Sequence, residues 1–141
     1  MRTDTYAATM RTSARKVAGA ATLLRTVLRL DALTSGAVGG AYLAAAAPIG
    51  DALGLSEALL RGAGAVLVVF AAGVWLLAAR SAIPAAGVVA VVAINVLWVV
   101  DSVAALAFGW LSPTTAGAIW VALQALVVAG FAALQGRALE R

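Results

Sequence analysis

Apolar residues occupy four long runs along the chain, roughly residues 30–48, 58–79, 83–110 and 114–135. Each is near the ~20 residues an α-helix needs to cross a bilayer. The strand-like alternation of a closed barrel is absent, and bare backbone has no other partner in hydrocarbon, so all four runs predict helices. The ends carry stop and start signals. Ser56 before Glu57 and Ser112 before Pro113 read as N-caps, Ser81 and Pro84 open the third span, and Pro48 and Gly50 close the first. The expected fold is an all-α, four-helix transmembrane bundle (29–141) preceded by a basic cytoplasmic or membrane-surface segment (1–28).

Composition strengthens this reading. A 141-residue chain that is 64% hydrophobic and 11% charged, with mean hydropathy +1.03, carries more apolar surface than a soluble domain of this size can bury. Charge then orients it. Arg2, Arg11, Arg15, Lys16, Arg25 and Arg29 precede the first span, Arg80 lies in the second connection, and Arg137 and Arg141 follow the last; Arg61 alone falls on the other side. The positive-inside bias places both termini in the cytoplasm. So large an asymmetry argues against insertion in both orientations. Because these charges flank spans, topology accounts for them, and no nucleic-acid partner is expected. Residues 11–28 are read as a helix lying against anionic lipid headgroups, and residues 1–10 as a solvated arm. The run ending at Ala44 to Ala47 resembles a signal-peptide cleavage site, but its basic lead is long for that role and retention is expected.

Small residues suggest how helices pack. Ala32, Gly36, Gly40 and Ala44 recur every fourth residue in the first span, a ridge that admits a neighbouring helix or a second copy of the chain.

Polar residues within the spans are the functional pointers, since hydrocarbon penalises them. Asn95, Trp98, Asp101 and Ser102 share a broad face of the third span, and Gln124 and Gln135 one face of the fourth. Counting rise from the span ends puts Asn95 and Gln124 at similar depth, which predicts a hydrogen bond between them with Tyr42 nearby. The expected polar membrane site is therefore Tyr42, Asn95, Trp98, Asp101, Ser102 and Gln124, with Asp101 reaching water or capping a loop. A cytoplasmic-side polar cluster is expected from Asp31, Gln135 and Arg137, Asp31 pairing there with Arg25, Arg29 or Arg137. A shift of 64 residues that aligns Asp31 with Asn95 suggests two distant parallel repeats.

Cysteine and histidine are absent, which removes thiol chemistry and His or Cys metal sites. No serine has a neighbouring base and no two carboxylates converge, so no enzyme, cofactor or metal site is expected. The segments LRLDAL, NVLWVVDS, WVALQAL and AALQGRALER, within residues 28–141, resemble small four-span bacterial membrane proteins. That resemblance implies architecture and emphasises Asp31, Asn95, Trp98, Gln124 and Gln135, but implies no activity. The Ala, Gly, Val and Arg bias suggests a high-GC bacterium and its plasma membrane. The leading expectation is a non-enzymatic accessory or scaffold subunit that partners the lipid bilayer and either itself or a larger membrane protein. The alternative is a small transporter or channel-like protein with a midplane polar site. Small multidrug carriers are similar in size and span number, but the membrane-embedded Glu early in their first span has no counterpart here.

Overall fold

The computed structural model describes the backbone of residues 2–140 and the side chains of residues 6–140. Five helices follow one another: α1 Arg2–Ala44, α2 Ala46–Leu53, α3 Glu57–Ala79, α4 Ala85–Ala107 and α5 Thr115–Leu139. α3, α4 and α5 are each long and apolar enough to cross a membrane, and a fourth crossing results if α1 and α2 are one broken span. The side chains of Arg2 and Arg141, two of the charges used to assign orientation, lie outside the described residues.

α1 differs from the expected division at residue 28. It is one unbroken helix of 43 residues, about 64 Å long at 1.5 Å per residue. Val27 and Leu28 are buried in the bundle, where Leu28 packs with Ala32, Val74, Ala78 and Val91. The bundle thus begins near Leu24, and the helix before it, with exposed Tyr6, Met10 and Val17, continues in line with the span. No break separates a surface helix from the first span.

The other end of α1 stops for a local reason. The Pro48 ring would collide with the carbonyl four residues back, and that residue, Ala44, is the last of α1. The chain turns at Ala45 and α2 leaves at 98° to α1, Pro48 being tolerated in its first turn. Gly54 ends α2 in the left-handed conformation at φ +67°. α2 then lies across the ends of α3 and α5. The Thr114 amide donates to the Leu53 carbonyl at 2.9 Å, and its hydroxyl donates to that of Ala52 at 3.0 Å, so the α5 entry satisfies two orphan carbonyls of α2.

Gly117 is what allows this approach. A Cβ there would lie 2.0 Å from the Leu53 carbonyl oxygen, in backbone that cannot yield locally. Gly117→Ala is expected to detach α2 from α5 and cost about 2 kcal/mol, the usual scale for overpacking. Thermal melting in detergent checks the cost, and faster proteolysis within 45–56 checks the detachment.

Helix starts match the sequence at Ser56, whose hydroxyl accepts from the Leu59 amide. They differ in part elsewhere. Thr114, not Ser112, caps α5 by accepting from the Gly117 amide; of the expected pair Ser81 and Pro84, Pro84 immediately precedes α4 as expected and Ser81 lies further out. α3 ends without a glycine cap. Arg25 of α1 supplies the missing donors, its guanidinium donating to the carbonyls of Ala78, Arg80 (2.8 Å) and Ser81 (3.3 Å). A cation at a helix C-terminus also meets the negative end of the helix dipole.

α1 packs most intimately on α3 and α4 on α5, and the two pairs meet chiefly through α1 and α5. The α1–α3 contact is close because two glycines face each other. A Cβ on Gly39 would meet the Gly64 carbonyl oxygen at 2.9 Å, and one on Gly64 would meet that of Gly39 at the same distance. The expected ridge is therefore only half correct. Ala32 is buried and Gly36 borders Ala71 of α3, but Gly40 and Ala44 are exposed and a Cβ on Gly40 would meet nothing. Gly39, one residue from the expected repeat, makes the close approach.

Candidate functional site: two polar rungs between the helix pairs

Asp31 and Tyr42 on α1 are eleven residues apart, as are Gln124 and Gln135 on α5. Eleven residues are close to three turns, so each pair shares one face of its helix at levels about 16 Å apart. Where α1 meets α5, Asp31 lies opposite Gln135 and Tyr42 opposite Gln124, giving two polar rungs in an apolar seam.

The first rung is buried throughout: Asp31 and Gln135 have no exposed surface, Asn95 has 3% and Ser35 8%. One carboxylate oxygen of Asp31, Oδ2, accepts from Asn95 Nδ2 at 2.8 Å and from Gln135 Nε2 at 2.7 Å. The other, Oδ1, accepts from the Ser35 hydroxyl at 3.2 Å. Asn95 Nδ2 also donates to Gln135 Oε1 at 3.1 Å, closing a triangle of side chains from α1, α4 and α5. No buried side-chain nitrogen or oxygen among the described residues lacks a hydrogen-bond partner. The second rung is simpler: the Tyr42 hydroxyl oxygen accepts from Trp120 Nε1 and from Gln124 Nε2, both at 2.7 Å.

This arrangement corrects the expected Asn95–Gln124 bond. Gln135 lies twenty residues into α5, whereas Asn95 lies only twelve residues from the end of α4. α5 therefore overshoots α4 by about 12 Å, bridged by residues 108–114, and counting depth from the shared turn misplaces Asn95 relative to α5. Asn95 joins Asp31 instead, the two positions that the 64-residue shift aligned. Of the remaining expected residues, Trp98 lines a cavity between the rungs, Ser102 is half-buried, and Asp101 is exposed on the flank of α4. Trp120 is the participant that sequence reasoning missed. An apolar-flanked indole carries no periodic signal, though an indole N–H within an apolar span favours an acceptor nearby.

The cytoplasmic-side cluster is corrected too. Asp31 and Gln135 do meet, but Arg137 is exposed and borders Ala20, Leu23, Leu134 and Ala138, well before Asp31 along α1. Arg25 is engaged at the end of α3, and the Arg29 guanidinium stands 5.8 Å from the centroid of the Trp75 ring. Among the described residues no cation comes within ion-pair distance of Asp31, and the one salt bridge is Arg61 with Glu57 in α3. Asp31 is thus a carboxylate held by neutral donors alone.

Between the rungs lies a cavity of about 130 Å³, lined mainly by Val38, Leu67, Trp98, Trp120 and Phe131, with Ser35 and Gln124 as its polar edges. The chemistry available here is hydrogen bonding, charge and shape. The geometry defines the class: an all-α chain whose long apolar helices are joined by one buried and one part-buried polar rung, with three to four of them suited to a membrane. No family model, curated protein or solved structure matches the chain.

Proposed function

We propose that this is a non-enzymatic integral membrane protein, four-spanning with both termini cytoplasmic, which serves as an accessory or scaffold subunit in a bacterial plasma membrane. The observation that carries this reading is Asp101. It is exposed on α4 beside exposed Leu97, Val100 and Val103, so an ionisable side chain stands on a face otherwise suited to lipid. Such a residue is costly against hydrocarbon and favours a protein neighbour that supplies a donor. The polar groups of the two rungs already satisfy one another inside the molecule. The basic α1 extension, with Arg11, Arg15 and Lys16, suits anionic headgroups or an acidic partner at the cytoplasmic surface.

A second reading, a small carrier or channel-like protein, is favoured by the cavity between the rungs, with Trp98, Trp120 and Gln124 on its walls. Native mass spectrometry of the tagged protein, extracted gently from its own membrane, separates the two. A stoichiometric protein partner, or a second copy, released by Asp101→Leu is expected under the scaffold reading. A monomer that carries a small molecule and is indifferent to Asp101 overturns it in favour of the carrier.

A further inference from the structure

We propose that Asp31, Ser35, Asn95 and Gln135 form a binding site for a monovalent cation the size of sodium. The starting point is charge. A fully buried carboxylate with no cationic partner is strongly penalised in an apolar interior, and three neutral donors offset only part of that penalty. The three arginines nearest along the sequence or in the polar cluster, Arg25, Arg29 and Arg137, are each placed elsewhere. The Asp31 charge is met by neutral donors alone, and a single carboxylate among neutral oxygens matches a single positive charge.

The donor set supplies the rest. A carboxamide presents nitrogen and oxygen at nearly equivalent positions, interchanged by a 180° rotation of its terminal group. In the present arrangement Asn95 and Gln135 turn their N–H groups toward Asp31 and so solvate its charge. Rotated, they present Asn95 Oδ1 and Gln135 Oε1 beside the Asp31 carboxylate and Ser35 Oγ, which gathers oxygen ligands from four residues, the hard donors that such cations select. Three helices converge on that point, so occupancy would tie α1, α4 and α5 together more firmly than the hydrogen bonds do. Ser35 belongs both to the cluster and to the wall of the 130 Å³ cavity, which gives the ion a polar edge by which to arrive. The site stands whether the protein is a scaffold or a carrier.

The test is a sodium titration of the purified full-length chain in detergent, with N-methylglucamine replacing sodium at constant ionic strength and pH, read as melting temperature. A saturable rise of roughly 4 °C at tenfold above half-saturation is expected, since a ligand that binds only the folded state stabilises it by mass action. Asp31→Asn, which keeps the shape and removes the charge, is expected to abolish the response. Ser35→Ala keeps the charge and serves if Asp31→Asn does not fold; it is expected to move half-saturation upward about tenfold. A melting temperature indifferent to sodium overturns the proposal, as does a sodium response that survives in both variants.

Discussion

Asn95→Leu is expected to destabilise the detergent-solubilised protein by about 3 kcal/mol. An interhelical hydrogen bond within a membrane protein contributes about 0.6 kcal/mol on average, so loss of contact alone does not reach this figure. The larger part comes from what remains. Asn95 Nδ2 serves both Asp31 Oδ2 and Gln135 Oε1, and its removal leaves a fully buried carboxylate with fewer donors and a buried amide oxygen with none. A buried acceptor left unsatisfied costs about 1–3 kcal/mol, and more when charged. Leu also fits poorly among polar neighbours. The double variant Asp31→Leu with Asn95→Leu removes the stranded charge and is expected to recover part of the loss, a non-additivity that a double-mutant cycle in denaturant or heat measures directly. Strict additivity would mean that the two side chains do not act together.

The second large effect concerns the α1–α3 seam. Gly39→Ile is expected to cost about 3 kcal/mol or more, because even its Cβ would meet the Gly64 carbonyl at 2.9 Å and Leu67 Cβ at 2.8 Å, and the helices cannot separate without opening the core around Tyr42. Gly40→Ile, one residue along and exposed, is expected to leave the stability of the monomer within about 0.5 kcal/mol of the parent. The pair of variants therefore distinguishes the face that packs inside the molecule from the face left outward. If Gly40→Ile instead changes the oligomeric state seen by light scattering or mass spectrometry, that outward stripe of Gly40 and Ala44 holds a second copy.

What could be read directly from the chain follows from one-dimensional rules. Apolar run length, the proline and serine punctuation and the absence of strand alternation predict long helices, and α3, α4 and α5 begin and end within a few residues of those predictions. Polar residues in apolar surroundings mark Asp31, Tyr42, Asn95, Gln124 and Gln135, which are members of the two rungs, and equally Trp98, Asp101 and Ser102, which are not. These signals are local: each depends on a residue and its neighbours within a turn or two.

Partnership between helices is not local, and here the tertiary structure decides. Which residues share a level depends on helix stagger, set by the length of the 108–114 connection, by α2 folding over the end of α5, and by Pro48 ending α1 at Ala44. A 12 Å overshoot moves Asn95 from the level of Gln124 to that of Asp31 and Gln135 while leaving every hydrophobic pattern unchanged. The continuation of α1 through residue 28 was hidden for a related reason: Arg25 and Arg29 look like a boundary in sequence, yet one ends on the α3 carbonyls and the other on Trp75. Gly39 rather than Gly40 makes the close approach because the rotation of α1 about its own axis is fixed by packing against α3, and a one-residue turn of 100° is enough to move a glycine from the seam to the surface. The sequence by itself determined the helices and the polar residues they carry; their stagger and rotation, and so the joining of Asp31 to Asn95 and Gln135, exist only once the helices pack.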